Sequence, residues 1–236
     1  MGELSQVQKK AVMHKDGPMM VLAGPGSGKT LVITKRVQYL IEQYHIPPER
    51  ILVITFTRAA AGEMKERFQR MAGCSLPVSF GTFHSVFFTI LKYAYHYRVE
   101  NILPESKKYE MIREILYEEN LEIDDEADFI RSVLQEISLV KGQMLSLEYY
   151  YSKNCGEDIF RKIFKQYEKK LHQKRQIDFD DILVYTYELL KERKDIRKAW
   201  QQKFPYILID EFQDINKVQY EIVKMVAQPI NNLFIV

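Results

Sequence analysis

Cysteine is nearly absent: the 236 residues hold two, Cys74 and Cys155, too far apart to form a C-x-x-C pair. That excludes a disulfide-stapled scaffold and a cysteine-built zinc site, and it suits a reducing, cytoplasmic setting. A large excess of charge of either sign is also missing, since 34 basic and 32 acidic residues leave +2. Global charge therefore announces no nucleic-acid partner, and local distribution has to decide that point. Long apolar runs are lacking too. Residues 74–91 carry no Asp, Glu, Lys or Arg, but Pro77, Gly81 and several hydroxyl residues interrupt them. A strand, a turn and a helix are expected there rather than a membrane span, in a soluble protein. The opening MGELSQVQKKAV is too polar for a signal peptide, and Gln6 stands where a myristoylation signal wants Ser or Thr. Internal repeats and low-complexity linkers are absent.

What is present is a core: 46% of residues are hydrophobic and 28% charged, enough for one large domain or a domain carrying an insertion. Residues 4–14 pattern as a helix, and Gly17-Pro18 as a turn. Residues 19–23, MMVLA, form an apolar strand running into GPGSGKT. A helix follows, with apolar positions at Ile33, Val37, Leu40, Ile41 and Tyr44, stopped by Pro47-Pro48. ILVIT, Ile51–Thr55, is a second buried strand, residues 58–71 a helix, and residues 78–91 a third strand, turn and helix. Apolar runs without alternation, separated by helices, predict an α/β fold with a parallel sheet covered on both faces. The rhythm breaks over 96–177, which pattern as helices only. Within that stretch, residues 100–128 hold eleven acids against three bases, and 161–175 hold seven bases against one acid. Strand patterns return at Tyr206–Ile209 and at 233–236. The expected organisation is a discontinuous α/β core, 1–95 and 178–236, interrupted by an all-helical insertion, 96–177.

The stretch Ala23, Gly24, Pro25, Gly26, Ser27, Gly28, Lys29, Thr30 fits the P-loop pattern, with alanine at its first glycine position. Glycines at 24, 26 and 28 permit backbone conformations closed to other residues. Successive N–H groups can then point at phosphate oxygens at the positive end of the following helix. Lys29 would place a charge on the outer phosphates, and Thr30 would offer a hydroxyl to magnesium.

The strand Tyr206–Ile209 runs straight into Asp210 and Glu211, with Asp214 close behind. Alone, such acids read more readily as a solvated strand end or a helix N-cap than as a site. Downstream of a P-loop they acquire a second meaning, because ligands of open α/β sheets bind beyond the carboxyl ends of the strands. Carboxylates repel phosphates, so a magnesium ion has to sit between them, with Asp210 and Thr30 as its ligands. Side-chain alternation sends Glu211 the other way, where it can receive a proton from an attacking water. This chemistry requires the P-loop and the acid pair to emerge from neighbouring strands. The reaction class is magnesium-dependent nucleotide hydrolysis.

These residues resemble the UvrD/Rep/PcrA group of superfamily 1 DNA helicases. LSQVQKKAV resembles the family's Q motif, which implies that Gln8 reads the adenine edge. TFTRAAAGEMKERF is similar to motif Ia, GTFHSVFFTIL to the motif after it, DFDDIL to a short family signature, and KFPYILIDEFQDINKVQY to motif II. The resemblance implies a RecA-like P-loop core with a helical insertion, ATP and Mg2+ as cofactors, and 3′-to-5′ movement on single-stranded DNA or a 3′-tailed duplex. It implies Thr55, Phe56, Arg58, Thr82 and His84 on the DNA side, with Phe56 against bases. Gln213 would couple the two sites. Arg58-Ala59 replaces the family's usual Asn-Lys, Ser5 a common Asn, and Leu31 a frequent Arg. The continuation of motif III and a second RecA-like domain do not follow LFIV, so the core reads as truncated at its carboxyl end.

Other features divide between structural and functional readings. The basic stretch 159–175 has a packing stripe at Phe160, Ile163, Phe164, Tyr167 and Leu171, with its cations either solvated or touching nucleic acid. Tyr149, Tyr150 and Tyr151 read as helix packing. Asp178, Asp180 and Asp181 read as a helix cap that fastens the returning insertion. Competing functions are a non-catalytic, truncated ATP- or DNA-binding module and the motor part of a helicase–nuclease. Without the arginines of a second domain, residues 1–236 are expected to hydrolyse ATP feebly and not to unwind DNA. A steady-state ATPase assay with and without single-stranded DNA checks this, and robust DNA-stimulated turnover would refute it.

Overall fold

In a computed structural model that describes residues 4–236, the apolar runs become the strands of one parallel sheet. In chain order the elements are α1 (Gln6–Met13), β1 (Met19–Met20), α2 (Lys29–Glu42), β2 (Ile51–Thr55), α3 (Arg58–Ala72), β3 (Ser79–Thr82) and α4 (Phe83–Tyr95). Then come α5 (Glu105–Glu118), α6 (Glu126–Gly142), α7 (Glu157–Gln173), α8 (Phe179–Glu192), α9 (Lys194–Lys203), β4 (Tyr206–Ile209), α10 (Lys217–Ala227) and β5 (Asn232–Ile235). The described chain divides into two compact units. One comprises residues 4–86 with Leu189–Ile215 and Tyr220–Val236, and the other Phe87–Glu188 with Asn216–Gln219.

The first unit holds the sheet, with strand order β1-β5-β4-β2-β3 and every pairing parallel. Every residue of β2 and of β4 is buried, which is why their sequences do not alternate. Ile33, Val37 and Leu40 of α2 and Met64 and Phe68 of α3 join Ile51, Val53, Leu208 and Phe234 in one cluster. The first strand is shorter than the apolar run suggests. As an edge strand it pairs only with β5, and after the Val21 N–H reaches the Ile235 carbonyl the chain leaves the sheet. No turn separates β3 from α4. Thr82 and Ser85 instead cap the helix reciprocally, Ser85 N–H to Thr82 Oγ1 at 3.2 Å and Thr82 N–H to Ser85 Oγ at 2.9 Å. The sequence pattern does not announce α9, whose apolar residues are only Ile196, Ala199 and Trp200.

Arg36, buried in α2, holds the end of α1. Its guanidinium donates to the carbonyls of Ala11 and His14 and lies 4.5 Å from the centre of the Phe234 ring. Burial pulls its pKa down to about 10. The contacts suit a cation at a helix carboxyl terminus. Two further bonds tie the α1–β1 connection to the sheet: Tyr206 Oη to Asp16 Oδ1 at 2.8 Å, and Gly17 N–H to Asn232 Oδ1 at 2.7 Å.

The second unit is helical. Met111, Ile112 and Ile115 of α5, Ile130, Val133 and Ile137 of α6, and Phe160, Ile163, Tyr167 and Leu171 of α7 share one core. The acid-rich and base-rich stretches meet here: Lys170 pairs with Glu114 and Glu118 of α5, and Lys162 with Glu119. Of the three tyrosines expected to pack, only Tyr150 does, its ring 5.1 Å from that of Phe160; Tyr149, at the end of a 3-10 turn, and Tyr151 are exposed. Ile102, ahead of α5, and Ile177, ahead of α8, form a parallel bridge.

Asp178 and Asp181 cap α8 reciprocally, each carboxylate accepting the other's backbone N–H. Both also receive the buried Lys141 ammonium, at 2.9 and 2.6 Å, and Tyr167 Oη donates to Asp178 at 3.0 Å. Burial works against the Lys141 charge, but Asp178, Asp181 and Glu168 hold its pKa above the ordinary lysine value. Burial pushes the Asp181 carboxyl up to about 7. Lys141→Met strands two buried carboxylates and should cost about 3–5 kcal/mol at pH 8. Both then keep protons to higher pH in the folded than in the unfolded chain, so the deficit shrinks as pH falls toward 5. Urea melts at the two pH values check this, and an equal deficit at both would contradict it.

Candidate nucleotide site

The loop after β1 turns on two glycines. Gly26 and Gly28 have φ of +72° and +84°, in the left-handed region that side chains disfavour. Gly24, expected to need the same freedom, is not left-handed. Its carbonyl closes the loop by accepting Ser27 Oγ at 2.7 Å. Gly28 is the N-cap of α2 and supplies no side-chain acceptor, so the first N–H groups of the helix stay available to an anion.

Gln8 lies against this loop. In α1 it forms a capping box with Ser5: the Gln8 Oε1 accepts Ser5 N–H at 2.8 Å and Ser5 Oγ accepts Gln8 N–H. Its Nε2 donates to the Ser27 carbonyl at 3.0 Å, and a Cβ on Gly28 would come within 3.2 Å of that nitrogen. One amide N–H and one carbonyl lone pair of Gln8 remain beyond these bonds, the pair of functions a purine edge requires.

The acids do not come from the strand next to the P-loop, as the chemistry seemed to require. Strand β5 lies between β1 and β4. Two strand spacings amount to roughly 10 Å, and two long side chains close that gap. Lys29 Nζ meets Glu211 Oε1 and Oε2, each at 2.8 Å. Nor does alternation aim Glu211. Pairing with β2 ends with the Asp210 N–H on the Ile54 carbonyl, and Glu211 then adopts φ 53° and ψ 47°, a left-handed conformation costly for a residue with a side chain. The turn swings its carboxylate onto Lys29, while Gln213 Nε2 donates to Glu211 Oε2 at 2.6 Å and to Asp214 Oδ2 at 3.2 Å. Lys29 and Gln213 hold the Glu211 pKa below the usual glutamate value, and Glu211 holds the Lys29 pKa up.

Asp210 is buried, and its Oδ1 has no hydrogen-bond partner. Burial and the Glu211 charge raise its pKa. An orphaned, buried carboxylate oxygen at the carboxyl edge of a parallel sheet fits a hard cation. Among the described residues no group of three or more His, Cys, Asp or Glu is placed to enclose a metal. A single carboxylate with a nearby hydroxyl is a donor set that magnesium would accept, since that ion takes one or two protein ligands and completes its shell with phosphate and water. Thr30, in the first turn of α2, offers its hydroxyl on the same element as Lys29.

Register carries the remaining candidates to the same edge. Ile54 pairs with Ile209 and Thr55 with Thr82, so Asp210, Thr55 and Thr82 all sit at the strands' ends. Phe56, 47% exposed, and Arg58, at the start of α3, face solvent; His84 is half-buried. The side chains of Thr55 and Thr82 are closed off from solvent, and that of Thr82 is used in capping α4.

The UvrD/REP helicase N-terminal domain family matches residues 4–236. The chain belongs to that family. It is 41% identical over 98% of its length to the putative ATP-dependent DNA helicase YjcD of Bacillus subtilis, covering 31% of that protein. Identity to the ATP-dependent DNA helicase PcrA is 37% for B. subtilis, over 99% of the chain and 32% of the relative. For Staphylococcus aureus PcrA it is 33%, over 100% and 33%. The chain spans about a third of the length of these curated relatives.

In this UvrD/REP domain the sequence pattern gives no sign of Arg36, since a mid-helix arginine reads as exposed. The Ser5–Gln8 box was readable as S-x-x-Q before an apolar run. Replacing Lys29 by Met removes the first support of the ionised Glu211, so its carboxyl pKa should rise toward the ordinary glutamate value. Side-chain carboxyl NMR titration measures it, and an unchanged midpoint would show that Lys29 does not set it.

Proposed function

We propose that this chain is the ATP-binding part of an ATP-dependent 3′-to-5′ DNA helicase or translocase that binds Mg-ATP and single-stranded DNA. One observation carries the reading: Lys29 from the P-loop and Glu211 from the end of β4 meet at 2.8 Å, next to an Asp210 oxygen without a partner. In this reading the N–H groups opening α2 and the Lys29 ammonium hold the phosphates, and Gln8 holds the base. Thr30 and Asp210 hold magnesium, which neutralises charge on the outer phosphates. Lys29 must exchange Glu211 for phosphate as the nucleotide enters. The exchange frees the carboxylate and raises its basicity, so that Glu211 takes a proton from the attacking water only when the site is loaded. Gln213, bonded to Glu211, keeps the carboxylate aimed and links it to the surface beyond.

Phe56 offers a ring on which a base of any sequence stacks, and Arg58 a cation for the backbone. His84 and the backbone at Thr55 and Thr82 border the same edge. The core is then 1–95 with 178–236, carrying 96–177 as a helical insertion. A second RecA-like domain in cis supplies the remaining phosphate contacts, on a cytoplasmic protein acting on single-stranded or 3′-tailed DNA.

Calorimetric titration tests the reading. The chain should bind ATP in a magnesium-dependent way, Lys29→Ala should weaken binding at least tenfold, and Asp210→Asn should remove the magnesium dependence. Phe56→Ala should weaken oligo-dT binding by about 1–3 kcal/mol. Equal ATP affinity in the chain and in Lys29→Ala would overturn the proposal.

A further inference from the structure

The edge of the sheet opposite the nucleotide site carries a second cavity, of about 570 Å³. Its wall is made by Arg50, immediately before β2, by α9, and by the connection from α10 to β5, all at the amino ends of the strands. Four cations line it: Arg50, Lys194, Arg197 and Lys198. Among the described residues no carboxylate does. None of the four makes an ion pair among the described residues. The one acid in the first turn of α9, Asp195, is held by Arg193 through two bonds of 3.0 and 2.8 Å.

This arrangement is unfavourable as plain structure. Lys194, Arg197 and Lys198 crowd the amino-terminal half of α9, where the helix dipole is already positive, and its N-cap Arg193 provides no side-chain acceptor. Some cations elsewhere are met by acids: Lys170 of α7 faces Glu114 and Glu118, Lys162 faces Glu119, and Lys141 is enclosed by three carboxylates. The lining is not cationic throughout. It also includes Met225 and Ile230, the latter 50% exposed, and Gln201, whose amide donates to the Met225 carbonyl at 2.8 Å.

We propose that this cavity binds an acidic peptide segment of a partner protein, its carboxylates on the four cations and an apolar side chain against Met225 and Ile230. A cavity that combines four unpaired cations with apolar side chains is complementary to a segment carrying both carboxylates and an apolar residue. A single-stranded nucleic-acid track instead combines a basic groove with aromatic stacking platforms, and no aromatic residue lines the cavity. The volume is too large for a lone phosphate to fill. Because the cavity lies at the amino ends of the strands, its occupant and the nucleotide do not compete.

An array of 12-residue peptides varying in acid content, with or without a central Leu or Phe, tests the assignment by fluorescence anisotropy at two salt concentrations. Acidic peptides with the apolar centre should bind best and weaken with salt. Arg197→Glu with Lys198→Glu should reduce their affinity at least tenfold, and Ile230→Ser should abolish the preference for the apolar centre. The charge-reversed variant should melt no lower than the parent, both variants should keep the parent Mg-ATP affinity, and Lys29→Ala should leave peptide binding unchanged. No preference across the array, or unaltered binding by the charge-reversed variant, would overturn the proposal. So would the loss of oligo-dT binding, rather than peptide binding, in that variant, because the surface would then be a nucleic-acid contact.

Discussion

The ion pair between Lys29 and Glu211 is the contact around which the first unit is organised. It joins residues 182 apart in sequence, and it forms because every strand of the sheet runs the same way. Parallel strands deliver the ends of β1, β2, β3 and β4 to one edge, and only there can a loop cation and a strand-end acid meet. The sheet depends in turn on burial at every position of β2 and β4. Arg36, Asp16 and Asn232 secure the other partners: they hold α1 and its following turn, and so the Gln8 that touches the P-loop.

Conformational cost is present at that edge. Gly26, Gly28 and Glu211 all adopt left-handed backbone, and only Glu211 carries a side chain there. Its strained turn is what converts a strand-end acid into a partner for Lys29. Asp210, one residue earlier, keeps a buried oxygen unsatisfied. Strain and an orphaned acceptor side by side are expensive for a fold and useful to a site that waits for a ligand. The cluster around Lys141 shows the contrary case. Asp178 and Asp181 are more completely buried than Asp210, but each has a hydrogen-bonded partner, and they serve to fasten α8 to the helical unit.

The distribution of cations follows the same logic. In α7 an apolar stripe directs one face inward, and acids meet Lys162 and Lys170 beside it, so a stretch that reads as a basic surface is neutralised in part. In α9 no acid among the described residues comes to meet Arg197 and Lys198. Sequence counts alone cannot separate the two cases, because what differs is the element that packs alongside.

The sequence by itself determined the class of fold, the order of its strands along the chain, the P-loop and the acid pair, because unalternating apolar runs and glycine spacing are local signals. It also determined family membership through the order of its motifs. It did not determine that β5 separates β1 from β4, that Glu211 leaves the strand and turns back, or that Thr55 and Thr82 are closed off. It likewise left open that Tyr149 and Tyr151 face solvent, and that Arg36 is buried on the carbonyls of α1. Those outcomes depend on which elements lie side by side. Strand order and side-chain burial are set by contacts between residues distant in the chain, and no local pattern encodes them.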